Sequence, residues 1–323
     1  MQAVLKKWDE LSTNYPNFNV LAQTFIVFLI FMVVLSLVSE HFFTSRNLTI
    51  IAVQVAYYVI LAVGMTLVMT TAGIDISIGS MLALTTAFLG ELIMGQGYPV
   101  WMGITIAIIA GIVAGAINGF FIVKLKVPPI ITTLGTFASF RGFAYYYLDG
   151  TIYYNFPPEF LFIARGSVLG IPLPIIIATV FLVGGHYFLA YTKTGREITA
   201  LGSNEQAARL AGISVGRLKL LVYAIMGFCV GVASLIVTAR LDSATALVGG
   251  GVEIHTIAAV VVGGTALFGG KGLMIGSLLG VLILGTLENG LLLAGLGYYW
   301  QRVLLGVLFV SVVASRTARE KQV

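Results

Sequence analysis

Residues 48–71, LTIIAVQVAYYVILAVGMTLVMTT, decide the fold. No charge interrupts them, and Gln54 is their one carboxamide. About 20 apolar residues suffice to cross a bilayer as a helix. The apolar residues fall all round the helix rather than on one stripe, as in a segment enclosed by lipid or protein on every side. Ala72-Gly73-Ile74-Asp75 then breaks the run, and residues 76–95 resume it. Two spans therefore follow each other with almost no connector, which predicts a multi-pass membrane protein with an interrupted helix.

Working outward, the same reading places spans at about 21–39, 48–71, 76–95, 99–123, 128–148, 172–191, 217–240, 254–270, 273–294 and 299–315. Glycines and prolines separate them, as at Pro128-Pro129 and Gly249-Gly250-Gly251. The eighth and ninth spans also run nearly together. The predicted class is an all-α integral membrane protein of about ten transmembrane helices. Gly73-Ile74-Asp75-Ile76 is echoed five spans later by Gly251-Val252-Glu253-Ile254, the spacing of an inverted five-plus-five repeat. The expected organisation is an N-terminal segment 1–20, one transmembrane domain 21–315 with a polar loop at 192–216, and a tail 316–323.

Composition agrees. Of 323 residues, 59% are hydrophobic and 10% charged, against about 25% charged in soluble domains. That excludes an ordinary soluble enzyme, a disordered chain and a nucleic-acid-binding domain. The net charge of +5 sorts by topology instead. Only Arg46, Arg141, Arg165, Arg240 and Arg302 of the 18 basic residues fall on one side or within spans. The others collect on the side of the termini and the 192–216 loop, so the positive-inside rule puts both termini in the cytoplasm. Lys6 and Lys7 precede a polar stretch, and the first span is too long for a cleaved signal. Cys229 is the single cysteine, so no intrachain disulfide exists; its apolar neighbours make it a packing residue.

The polar residues inside spans are the candidates for a pathway or for structural bonds: Gln54, Asp75, Glu91, Asn118, Arg141, Glu288, Asn289 and Arg302. Asp75 is placed to cap the third span as well. Arg141, mid-span, requires a carboxylate or carbonyl partner, with Glu91 and Glu288 in view. Asn118 sits among small residues, where an interhelical hydrogen bond is the alternative to a pathway role. The aromatics from Phe137 to Tyr147 suit an interfacial belt or ring faces for a transported solute. His41, His186 and His255 share no metal-ligand spacing, and no nucleophile motif or carboxylate pair points to catalysis. Gly264 to Gly272 fails the phosphate-loop pattern, since Gly270 stands where Lys is needed and no Ser or Thr follows Lys271. These glycines read as a helix break.

In the 192–216 loop, Ser203 or Asn204 is placed to cap a short helix over about 205–211, with Gly212 ending it. Ala207, Ala208 and Ala211 would give that helix a small-residue face. Glu205-Gln206-Ala207-Ala208 with Gly212 is similar to the Glu-Ala-Ala coupling loop of ABC importer permeases. Residues 194–213 resemble the version in sugar permeases of the ribose type. Ala72 to Ser80 resembles that family's Gly-Gly-Ile-Asp-Leu-Ser-Val-Gly-Ser block. Gly251-Val252-Glu253-Ile254 with residues 258–264 and 269–272 resembles its C-terminal block. Departures are Ala72 and Ser203 for Gly, and Gln206 for an acid. The resemblance implies a coupling loop at Gly202, Asn204, Glu205, Ala207, Ala208 and Gly212. It also implies a homodimer in the bacterial inner membrane, docked to a cytoplasmic ABC ATPase that uses ATP and Mg, and fed by a periplasmic sugar-binding protein. This chain would bind no cofactor of its own. The rival readings are an ion-coupled secondary transporter, with Asp75, Glu91 and Glu288 as intramembrane carboxylates, and a purely structural membrane subunit.

Overall fold

The computed structural model describes residues 18–297 and, beyond them, 299–304, 306, 307, 310, 311 and 314. The expected segment 1–20 falls almost wholly outside the described residues, with Lys6 and Lys7, and so does the tail 316–323.

In chain order the helices are α1 Phe18–Val38, α2 Ser45–Thr70, α3 Ile78–Leu89 with a π-helical turn Gly90–Gly95, α4 Val100–Lys124, α5 Pro129–Leu148, α6 Pro158–Arg165, α7 Leu173–Tyr191, α8 Lys193–Ser203, α9 Glu205–Leu210, α10 Val215–Leu241, α11 Val252–Val262 and α12 Met274–Leu293. Seven of the elements are long and apolar enough to cross a membrane, namely α1, α2, α3 with its π turn, α4, α7, α10 and α12. α5 has the length of a span but carries Arg141 and four threonine or serine hydroxyls. Residues 299–304 begin the expected tenth span.

The expected span 254–270 is corrected. Its helix, α11, stops at Val262, because Gly263 lies against the backbone of Gly276 and Gly264, Gly269 and Gly270 take φ of +104°, +89° and +77°. Residues 263–273 are thus an irregular stretch, as residues 71–77 are before α3. Four two-residue strands complete the fold: β1 Tyr153–Tyr154, β2 Ser167–Val168, β3 Ile171–Pro172 and β4 Ser243–Ala244. β1 pairs antiparallel with β4, Tyr153 opposite Ala244, and β2 with β3.

The core is built on α2 and α10, whose inner halves are almost continuously buried. Met226 and Cys229 of α10 close on Gly64 of α2. On the other side of α10, Gly111 and Gly115 of α4 meet the backbone at Gly227 and Tyr223, where any Cβ would strike a carbonyl. Spacing glycines by four is how membrane helices approach at backbone distance, since lipid supplies no hydrophobic drive between them. α1 touches this core through Leu35 and is otherwise largely uncovered, with only Thr24 and Leu35 buried.

Candidate functional site

The loop at 192–216 folds as two helices rather than the expected one. Thr192 caps α8, its Oγ1 accepting from Gly195 N at 3.0 Å. α9 follows at once, capped by Asn204, whose Oδ1 accepts from Ala207 N at 2.9 Å. Gly212, at φ +80°, turns the chain away after it. Glu205 receives Lys219 Nζ at 2.7 Å and Arg209 Nη2 at 2.9 Å, which ties α9 to α10. The bond from Lys219 and then that from Arg209 hold the Glu205 carboxyl below the usual glutamate range. The small-residue face is only partly as expected. Ala207 and Ala211 are exposed, but Ala208 turns inward and is buried. Beside them Leu210 is 90% exposed, an apolar side chain that the sequence reading did not single out.

Behind α9 three segments meet through backbone. Gly270 N donates to Thr70 O at 3.0 Å, joining the irregular stretch 263–273 to the end of α2. Gly202, at the end of α8, packs into the same point; a Cβ there would strike Thr70 O and Gly270 N. Gly269 lies against Ala72 and Gly202 O. The loop is therefore seated on both helix interruptions at once, and only glycine permits the approach.

The interruption at 71–77 is closed by side chains. Asp75 Oδ1 accepts from Ser77 N at 2.9 Å and Ser77 Oγ at 2.6 Å, so it does shape the start of α3 as expected. Asn118 Nδ2 donates to Ser77 Oγ at 2.8 Å and reaches Asp75 Oδ2 at 3.4 Å, while its Oδ1 accepts from Thr136 at 2.7 Å. Asp75 and Asn118 are fully buried, and the bonds join α3, α4 and α5. Gln54 is not part of this group; it is half-buried on α2, near Tyr57 and Tyr58 in sequence, and its side chain makes no hydrogen bond among the described residues.

The second acidic block is built differently. From Ala244 beside Gly90 the chain runs along α3 until Gly249 lies against Gly79. Gly79 and Gly90 are about 16 Å apart along a helix axis, so this segment reaches halfway into a hydrocarbon core of about 30 Å. Arg141 holds it there. Its guanidinium donates to Ala246 O, to Val248 O at 2.7 Å and to Gly79 O at 3.2 Å. The Arg141 partners are thus carbonyls, and neither Glu91 nor Glu288 pairs with it. Glu91 accepts from Tyr153 at 2.6 Å, and that bond pushes the Tyr153 phenol up to about 12. α11 then starts at mid-depth. Glu253 Oε2, both ring nitrogens of His255 and Thr256 Oγ1 are buried with no hydrogen-bond partner. His255 stacks on Tyr58 at 3.9 Å, and its Nε2 lies 3.4 Å from Glu288 Oε1. Arg302 donates to Gly250 O at 3.0 Å. Asn289 exchanges 3.0 Å bonds with Asn47 of α2, a structural pair. Glu253 and His255 were missed as site residues; the signal available was the repeat of the Gly-x-acid-Ile pattern.

A half-helix starting at mid-depth beside an unwound segment is an arrangement of transporters, where irregular backbone is tolerated only inside protein. Residues 47–313 match the family described as branched-chain amino acid transport system, permease component. The ribose import permease of Haemophilus influenzae is 40% identical over 297 residues, covering 90% of this chain and 92% of that protein. The ribose import permease of Escherichia coli K12 is 39% identical over 295 residues, with the same coverage. The D-allose permease of Escherichia coli K12 is 36% identical over 290 residues, covering 90% and 89%. No solved structure matches. The fold and site define a multi-pass transport subunit. The chain belongs to this permease family, within it to the ribose-type permeases of ABC sugar transporters.

Proposed function

We propose that this chain is the membrane-spanning subunit of a binding-protein-dependent importer for a small, ribose-like monosaccharide. It works as a homodimer in the bacterial inner membrane with both termini cytoplasmic. A periplasmic sugar-binding protein delivers the solute, and a partner ABC ATPase supplies the energy from ATP and Mg; this chain hydrolyses nothing. The ATPase docks on α9, with Leu210, Ala207 and Ala211 as its exposed contact.

One observation carries this reading: Gly202 is wedged against Thr70 and Gly270. A displacement of α8 and α9 must move the end of α2 and the stretch before α12 together, because packed backbone has no side-chain slack to absorb it. Such a junction serves a loop that is pulled from outside the membrane. The relatives printed as ribose and D-allose permeases support the solute class. A second copy is accommodated by α5, whose outward positions Gly135, Ala138, Ser139 and Gly142 are small and uncovered.

The test is purification in mild detergent together with the co-expressed ABC ATPase. The wild-type chain retains the ATPase, and Ala207→Glu with Leu210→Glu loses it while eluting as the same permease species. ATPase retention by that variant contradicts the docking site. Uptake that needs an ion gradient and no ATPase contradicts the whole reading.

A further inference from the structure

A cavity of about 790 Å³ lies between α1, α7, α8 and the stretch leading into α12. One wall is apolar, with Leu21, Leu189 and Ile275. The other is basic and polar, with Arg196, Lys271, Thr199 and Ser203, and among the described residues no Asp or Glu lines it. Lys271 is half-buried, yet its ammonium meets no acceptor among the described residues. Among the described residues the Arg196 guanidinium bonds only to Tyr191 O, at 3.3 Å, which leaves most of its five donors for something else. The neighbouring Lys193 is already engaged by Glu197 at 3.7 Å. The cavity also sits at a membrane boundary. Tyr187 and Tyr191, stacked at 5.7 Å and largely exposed, mark the headgroup level at the end of α7. Leu21 belongs to α1, whose surface is otherwise apolar and uncovered.

We propose that this cavity binds an anionic glycerophospholipid. Arg196 and Lys271 take the phosphate beside the polar surface of Thr199 and Ser203, whose hydroxyls donate to carbonyls of α8, and the acyl chains follow Leu21 and Ile275. Basic pockets between membrane helices on the positively charged side select such headgroups. The apolar wall distinguishes a lipid from free phosphate, which has no use for it. Because Ser203 and Gly270 both line the cavity, a bound lipid braces the same junction that seats the loop. The inference is independent of the importer reading, since the site is complete in this chain alone.

The test uses the purified permease without partners, in mild detergent. Thermal unfolding is followed while phosphatidylglycerol, phosphatidylcholine or inorganic phosphate is added, and native mass spectrometry counts retained lipid. Phosphatidylglycerol is expected to raise the midpoint by several degrees and to be retained. In the Arg196→Gln, Lys271→Gln double variant its binding falls about thirtyfold, the loss of two basic contacts. Leu21→Trp fills the apolar wall, keeps both charges and also loses the lipid, which covers the case of a double variant that fails to fold. An equal shift with phosphatidylcholine, or one reproduced by inorganic phosphate, overturns the proposal. So does phosphatidylglycerol binding unchanged in both variants.

Discussion

The chain interrupts two of its helical paths at a buried carboxylate, and the two places are built in opposite ways. At Asp75 the oxygens are met by Ser77 and Asn118, and Thr136 completes the set. At Glu253 the surrounding backbone is held by Arg141, but Glu253 Oε2, His255 Nδ1 and Thr256 Oγ1 are buried without a hydrogen-bond partner. A satisfied buried network fixes one arrangement, whereas buried groups left without partners carry a standing cost and favour a change of environment. The first interruption is accordingly a fixed joint, whereas the second leaves buried polar atoms unmet by the protein. The 192–216 loop packs through Gly202 against Thr70 on the fixed side and against Gly270, which itself donates to Thr70 O and lies beyond the far end of α11.

The largest expected effect is at the contact between the two interruptions. Gly249 has φ +83° and lies against Gly79 O, so Gly249→Val adds both backbone strain and a clash. We expect a loss above about 3 kcal/mol, read as loss of the folded species in size-exclusion and thermal unfolding. A Gly249→Val protein of normal stability would break the contact described between 244–249 and α3.

Next comes a pair of substitutions that sets the two sites against each other. Asn118→Leu leaves Ser77 and Asp75 short of a partner and should cost about 1–3 kcal/mol. Glu253→Gln removes a charge from an oxygen that has no donor, and the thermal midpoint should hold while transport changes. Equal destabilisation by both would erase the distinction.

Much of this architecture was legible in the sequence. Nine expected spans match described helices to within a few residues at their starts, because long apolar runs ended by Gly or Pro leave little choice of register. The short helix, its Asn204 cap and Gly212 were equally local features. The end of α11 was not legible, since apolar residues continue past Val262 and only packing against Gly276 decides that Gly263 stops the helix. The carbonyl partners of Arg141 and the turned-in Ala208 depend on segments far apart in sequence. Ala72 shows the mixture. Its place in a motif where relatives of the resemblance carry Gly is visible in the sequence, and its φ of +60° gives the reason.

That supplies a smaller prediction. Ala72→Gly relieves a left-handed alanine and should stabilise by about 1 kcal/mol, measured by thermal unfolding; a destabilised variant would show that the turn tolerates Cβ at no cost. Smallest is the pH dependence of α9. Lys219 and Arg209 lower the Glu205 pKa, so its contribution is complete above the unfolded value of about 4.3 and is lost as the pH falls through the folded value below that. Glu205 is partly exposed, and the amount should stay under about 1 kcal/mol. Wild type and Glu205→Gln should differ in thermal midpoint at pH 7 and converge towards pH 3; a gap that persists in acid would place the role of Glu205 elsewhere.

The central claim is that the loop drives the membrane segments through the junction of Gly202, Thr70 and Gly270. Its most direct test is the amount of sugar taken up per ATP hydrolysed, in vesicles holding the permease, its ATPase and its binding protein. For Gly202→Ala, which forces the junction apart while leaving α9 intact, the account predicts that the ATPase stays bound and hydrolyses ATP while uptake per ATP collapses. Uptake per ATP equal to wild type, in a variant that retains its ATPase, would contradict it.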